Sequence, residues 1–340
     1  MDEVVAAARA GDKQAFAAVV ERYRRELLVH CYRMTGSLDD AEDLVQETFV
    51  RAWRSVGTFE GRSSLRTWLY RVATNACLDT LASAHRRRVL PYDLSAPNVP
   101  GPPSTDVAWL QPLPDRLWQP AHDGEAEPEA AVVARETIEL AFLAAIQHLA
   151  PRPRAVLLLR DVLGWPAKDT AELLGLTVAA ANSHLARARA TLRKSVPDRH
   201  DAWEPGNPPN DDERAVLDRY MTAVGQGDLA AIAAVLAEDV QASMPPFTFW
   251  FRGRDHILAA LAKSWDPSSP DYVGEFRMVP TAANGQPAAA AYVRRHDDAA
   301  YHPLAVSVLD VRGGRIREMV AFHDPALFPA FGLPDALPAG

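Results

Sequence analysis

Residues 39–88 read DDAEDLVQETFVRAWRSVGTFEGRSSLRTWLYRVATNACLDTLASAHRRR, and the rest of the chain is organised around them. At 100° per residue, Ala41, Leu44, Val45, Thr48 and Ala52 fall on one side of a helix, and Asp43, Gln46, Glu47, Val50 and Arg54 on the other. The first side packs; the acidic side is either solvated or offered to a partner. The connector from Ser55 to Ser64 breaks the helix at Gly57 and Gly61 and brings Phe59 close in sequence to Trp53 and Trp68. Such aromatics either serve a small helical core or stack on unpaired bases. In the helix that follows, Leu69, Val72, Ala73, Ala76 and Thr80 form the packing stripe, with Arg71, Asn75 and Leu78 on the far side. Asn and Arg can make paired hydrogen bonds to base edges, and Arg86, Arg87 and Arg88 suit phosphate.

In this order, the DAEDLVQETFVRAW helix, the WRSVGTFEGRSSLRTWLY connector and the TNACLDTLASAHRRR helix resemble region 2 of the bacterial sigma factors, specifically the small extracytoplasmic-function (ECF) group. The resemblance spans roughly residues 12–88. In that family the acidic helix binds the coiled coil of the RNA polymerase clamp, and the next segment melts the minus-10 promoter element and captures flipped bases. The resemblance implies that Asp40, Asp43, Gln46, Glu47 and Phe49 face polymerase core. It turns Trp68, Arg71 and Asn75 toward single-stranded DNA, with Arg86, Arg87 and Arg88 beside them.

At 340 residues the chain has room for two or three domains, each with its own core. A net charge of −8 argues against a uniformly basic nucleic-acid binder, so DNA contact falls to local basic patches. The two cysteines, Cys31 and Cys77, form no metal-ligand spacing and no disulfide framework, which points to buried thiols in a reducing cytoplasm. No stretch has the apolar length to cross a bilayer, and the N-terminus MDEVVAAARAGD is acidic, unlike a signal peptide.

Residues 2–35 read as two helices divided at Gly11-Asp12, with Asp12 capping the second. From Val89 to about Glu129 prolines crowd the chain and preclude a regular helix or a central strand. This is a linker, yet Trp109, Leu110, Leu113, Leu117 and Trp118 are too apolar for a solvated spacer. They dock either along the polymerase RNA-exit path, as sigma linkers do, or on the chain's own domains.

Helices resume near Ala130. WPAKDTAELLG, then Leu176-Thr177, then VAAANSHLARARATLRK is a helix-turn-helix pattern, with Gly175 supplying the turn. Val178, Ala181, Leu185, Ala188 and Leu192 line the packed side of its last helix. Ala179, Ser183 and Arg187 point away, with Ala180, His184 and Arg189 at the margins. Thr177 is placed to cap the helix against a phosphate. The stretch resembles sigma region 4, which reads the minus-35 element as double-stranded DNA. Its Ala179-Ala180-Ala181 run departs from the Gly-Thr-Val commonly seen there, so no base preference carries over.

After a Pro-Gly-Asn hinge at residues 205–210 come two amphipathic helices and a strand expected over 241–251. A helix over 254–265 and strands near 275–280, 288–295, 304–312 and 315–322 follow, the last two joined at Gly313-Gly314. Helices first and strands last make an α+β domain. With its FWFRGRDHI and VLDVRGGRIREMVAFHD segments, it resembles the SnoaL-like, ketosteroid-isomerase-like cone fold. The resemblance implies a pocket, for which Phe249, Trp250, Tyr292, His302, His323 and Asp324 are candidates. No pair of titratable groups stands at a spacing that demands catalysis, and His302, His323 and Asp324 read equally well as structural. In ECF fusions of this kind the extra domain controls the sigma domains in cis.

The expectation is a multidomain chain: two all-α sigma domains and a C-terminal α+β SnoaL-like domain. The expected spans are region 2 over 1–90, linker 91–129, region 4 over 130–198, hinge 199–210 and the SnoaL-like domain over 211–332. Such a factor joins RNA polymerase core, recognises a two-part promoter and opens it, needing no cofactor and no metal. Two alternatives stay open. One is a ligand-sensing helix-turn-helix regulator that works without polymerase, and the other an enzyme whose cone domain acts on a hydrophobic small molecule. Whether a separate anti-sigma protein exists is not legible.

Overall fold

The computed structural model describes residues 2–61, 63–83, 87–99, 101–119, 137–195 and 210–339. It divides into two compact units, each built from two stretches of chain: residues 1–88 with 117–205, and residues 89–116 with 206–340.

The first unit is helical. Helix α1 (Asp2–Arg9) precedes α2 (Lys13–Thr35), which Asp12 caps by accepting from the amides of Gln14 and Ala15 and which ends on Gly36 at φ 71°. Ser37 then caps α3 (Leu38–Ser55), accepting from the Asp40 amide. Leu38, Ala41, Leu44, Val45, Thr48, Phe49 and Ala52 of α3 are buried. Helix α4 (Leu65–Ser83) packs on α2 and α3 through Leu65, Leu69, Tyr70, Ala73, Ala76 and Cys77. Its buried stripe thus runs through Tyr70 and Cys77, where the expected Val72 is half-buried and Thr80 exposed. Helices α5 (Leu140–Gln147), α6 (Pro151–Leu157, extended by a π-helical turn over Leu158–Val162), α7 (Ala167–Leu174) and α8 (Val178–Ser195) complete the unit.

Two buried arginines join its halves. Arg33 on α2 donates from Nε to the Thr137 carbonyl (3.1 Å) and from Nη2 to the Thr137 hydroxyl. Arg154 on α6 donates to the Met34 carbonyl at the end of α2, to Gln147 Oε1 (2.6 Å), and to the Gln147 and Leu149 carbonyls (3.1 and 3.0 Å). Desolvation pushes the pKa of each down to about 10.

In the second unit, helices α9 (Asp211–Gln226) and α10 (Leu229–Val235) lead into a mixed sheet. Its strands are β1 (Leu236–Ser243), β2 (Trp250–Arg252), β3 (Glu275–Ala283), β4 (Gln286–Arg294), β5 (Ala300–Arg312) and β6 (Arg315–Phe322). They lie in the order β2-β1-β6-β5-β4-β3, with β1 and β6 parallel, the other pairs antiparallel, and a short β7 (Leu337–Pro338) on β5. Helix α11 (Arg254–Trp265) covers the same apolar cluster as α9 and α10: Val216, Tyr220, Ile232, Ala242, Ala289, Leu309 and Met319 are among its members.

The strand expected over 241–251 is two strands, because Pro245 and Pro246 offer no amide to the ladder and the chain turns there. No helix among the described residues is long and apolar enough to cross a membrane. Arg86, the chain from 120 to 136 and the hinge from 199 to 209 lie outside the described residues, so expectations placed there are not addressed.

Candidate nucleic-acid interface

On α3, Asp43, Gln46, Glu47 and Val50 are exposed together, opposite the buried stripe. Arg51 holds Glu47 at 2.8 Å and Asp79 of α4 at 2.9 Å, which orients the acidic side. Asp40, in the first turn, accepts from Arg88 Nη2 at 2.6 Å, so a carboxylate assigned to polymerase and a cation assigned to phosphate neutralise each other. Phe49 departs from the expected group. It is 8% exposed and sets its ring against Phe16 of α2, 6.5 Å between centroids, so it braces the helix from inside.

On α4, Trp68 is half-buried and leans on Phe59 (5.2 Å), and Asn75 is exposed. Arg71 lies between them and donates from Nη2 to Glu172 of α7 at 3.2 Å. Arg87 meets His148 Nδ1 at 2.8 Å. A cleft of about 860 Å³ runs between α4 and the second helical half, with Asn75, Leu78, His148, Leu174, His184 and Arg187 in its lining.

Helix α7 ends on Gly175 at φ 63°, and after Leu176 the Thr177 hydroxyl accepts from the Ala180 amide at 3.1 Å, capping α8. Ala181, Leu185, Ala188 and Leu192 are buried, while Thr177, Ala179, Ser183 and Arg187 are exposed and Ala180 and His184 half-buried. Arg187 Nη2 meets His184 Nδ1 at 3.3 Å, and burial together with Arg187 and Arg152 lowers the His184 pKa. Arg189 turns back into a two-pronged pair with Asp161, 2.8 and 2.7 Å. Two residues outside the expected set stand on the open face: Val178, 43% exposed, and Asn182. Periodicity groups Val178 with the buried stripe, but it occupies the first turn of the helix, ahead of the packed contacts.

Several of the candidate pocket residues of the second unit have packing or hydrogen-bond partners of their own. Trp250 donates from Nε1 to the Ser95 carbonyl at 2.9 Å, and Tyr292 packs its ring on Phe328 (5.1 Å) and bonds the Pro334 carbonyl (2.8 Å). His302 is exposed, and Asp324 accepts from the Ala326 amide at 3.0 Å. His323 sits edge-on to Phe247 (5.6 Å), its pKa pushed down to about 4 by burial. Phe249 stands between Phe247 and Phe251, 5.5 and 5.6 Å away. The five candidates Trp250, Tyr292, His302, His323 and Asp324 are all absent from the apolar cluster between helices and sheet.

The linker segment gathers on this unit. Val89 pairs with Trp109, and Leu90, Leu110 and Leu113 are buried. Asn98 N donates to the Trp250 carbonyl (2.8 Å), Ser95 Oγ to the Thr248 carbonyl (2.7 Å) and Ser104 N to the Pro246 carbonyl (2.9 Å). At the β3–β4 turn, Asn284 exchanges two bonds with the Leu113 backbone, both 2.9 Å, and Asp115 accepts from Gly285 N at 2.8 Å.

Three family models match the chain: Sigma-70 region 2 over residues 19–87, Sigma-70 region 4 over 139–192, and the SnoaL-like domain over 217–319. The ECF RNA polymerase sigma factor SigG of Mycobacterium tuberculosis is 46% identical over 338 residues, covering 97% of this chain and 86% of SigG. The chain belongs to the ECF sigma factors of RNA polymerase. SigW of Bacillus subtilis is 32% identical over 191 residues, 55% of this chain and 92% of its own. The crystal structure of the M. tuberculosis ECF sigma factor SigJ superposes with a TM-score of 0.61 at 22% identity, over 94% of this sigma factor and all of SigJ, which shows a shared fold. The α+β second unit of this sigma factor is therefore its SnoaL-like domain.

Proposed function

We propose that this sigma factor joins RNA polymerase core in the cytoplasm through Asp43, Gln46 and Glu47, with Asp40 released from Arg88 on engagement. Trp68, Arg71 and Asn75 capture unpaired bases of the minus-10 element, Arg87 and Arg88 approach phosphate, and α8 reads the duplex minus-35 element. The carrying observation is that α3, α4 and α8 each bury one full side and leave the recognition residue types on the other. Arg71 and Asn75 present guanidinium and amide donors suited to base edges, and Arg187, Arg193 and Lys194 follow the uncharged start of α8, placed for phosphate. The SnoaL-like domain modulates initiation in cis, and its hold on residues 89–116 supports that role.

In a reconstituted reaction with core polymerase, replacing Arg71 or Asn75 by Ala lowers promoter opening, read as permanganate reactivity of unpaired thymines, about tenfold. Core binding stays within about twofold, since base contacts of this kind carry about 1–3 kcal/mol. Equal loss of both would mean that α4 is only structural.

A further inference from the structure

From Gly175 to Ala186 the turn and first half of α8 carry no Asp, Glu, Lys or Arg, whereas Arg187, Arg189, Arg193 and Lys194 crowd the second half. The two halves therefore offer DNA different chemistry. Cations suit phosphate at any sequence, and the uncharged half must do the discriminating. Around its first two turns Val178, Ala179, Asn182 and Ser183 are all exposed, Val178 because the packed contacts begin only after it. Val178 is one of four large hydrophobic side chains left exposed among the described residues, and it lies on a helix that otherwise buries its apolar stripe at Ala181, Leu185, Ala188 and Leu192. A lone exposed valine is ordinary. One placed at the entering turn of a helix-turn-helix second helix, beside the Ala179 methyl, is an apolar reading edge.

Asn182 stands one turn further along. Its side chain makes no hydrogen bond among the described residues, while Arg187 is engaged with His184 and Arg189 with Asp161. Residues four apart share a helix face and are separated by about 6 Å along the axis, close to two base-pair steps. In the major groove an A·T pair presents two features no other pair combines in this way: the thymine C5-methyl, which accepts apolar contact, and adenine N6 and N7, which a carboxamide can bond in pairs.

We propose that Val178 and Asn182 are specificity-determining residues that make the first two turns of α8 a reader of adjacent A·T pairs in the upstream promoter element. Val178 and Ala179 pack on thymine methyls, and Asn182 donates its amide N–H to adenine N7 and accepts from N6–H. Arg187 and the basic second half fix the register on phosphate. This rests on region 4 reading the upstream element and supplies the base preference that reading leaves open.

The test uses the full chain with core polymerase. Duplexes carrying a randomised upstream element are selected for binding, and a recovered duplex is remade with deoxyuridine for thymidine, which removes only the methyl, or with 7-deaza-adenine, which removes only N7. The expected selection is enriched in neighbouring A·T pairs. Wild-type holoenzyme loses about threefold or more in affinity on the uracil duplex and about tenfold on the 7-deaza duplex. Val178→Ser no longer distinguishes uracil from thymine, and Asn182→Ala no longer distinguishes the two adenines. Both positions are on the surface, and unchanged thermal melting of each variant separates lost contact from lost fold. Enrichment of G·C pairs, or a wild-type enzyme indifferent to both analogues while a scrambled upstream element still abolishes binding, overturns the inference and leaves region 4 as the upstream reader. No enrichment and no effect of scrambling overturns both.

Discussion

His30 shows how one buried side chain sets the response of the helical unit to acid. Its Nε2 meets Thr74 Oγ1 at 2.9 Å, its ring lies 5.0 Å from that of Tyr70, and burial, then Arg33 and Arg66, push its pKa down to about 3. An unfolded chain protonates this imidazole below about pH 6.5 and the folded one does not. The contribution is intact above pH 6.5 and is lost as pH falls toward 3, by about 1.4 kcal/mol per unit. Lowering the pH from 7 to 5 therefore costs about 2 kcal/mol through this residue. Thermal melts of wild type and His30→Gln at the two values check this: the variant loses less of its melting temperature on acidification, and parallel losses would refute it. Neither this histidine nor the arginines beside it stood out in the sequence. Helical periodicity places 30 and 33 within α2 but cannot say that 74 and 137 come to meet them. The acidic face of α3 was legible because it depends only on neighbours three and four apart, whereas Phe49 was misplaced because the ring of Phe16 reaches it from another helix.

The chain from 89 to about 129 was read as a linker in which proline precludes a regular helix or central strand; among its described residues from 89 to 116, which group with the second unit, only single-turn 3₁₀ segments and isolated bridges form. Composition also flagged its apolar side chains as needing a surface, and left two surfaces open. The one they occupy here is the SnoaL-like domain, through contacts such as Leu113 with Asn284 that span 171 residues of chain and leave no local trace. Trp250 meets Ser95, 155 residues away, and Tyr292 meets Phe328, contacts that periodicity within one strand does not reveal. Burying Leu90, Leu110 and Leu113 contributes roughly 2 kcal/mol apiece. Leu113→Asp places a charge in that contact and frees the segment. We expect faster proteolysis within 89–116 and a rise of a few-fold in run-off transcription from core plus sigma. Faster cleavage with unchanged transcription would count against the segment as a route for the proposed control in cis.

Across the whole molecule, regions 2 and 4 share one compact unit, with Arg71 of α4 touching Glu172 of α7. On the proposed assignment of α4 and α8 to two separated promoter elements, that contact is expected to part. The exposed ion pair itself opposes this by no more than about 1 kcal/mol. The buried joint matters more: Arg154 serves four acceptors, none a carboxylate, at the ends of α2 and α5. Arg154→Leu strands those acceptors and weakens the joint by about 3 kcal/mol or more. The check is calorimetry and small-angle scattering, with the expected result a split melting transition and a larger radius of gyration. A single unshifted transition would show that the halves are held by apolar packing alone. The doubly stitched second unit also has a consequence during synthesis. The segment starting at Val89 leaves the ribosome well over 200 residues before Phe322 completes the sheet that receives it. At about 5–20 residues per second, its leucines stay uncovered for roughly 10–50 s, long enough for region 2 to fold and for a chaperone to bind the bare stretch first.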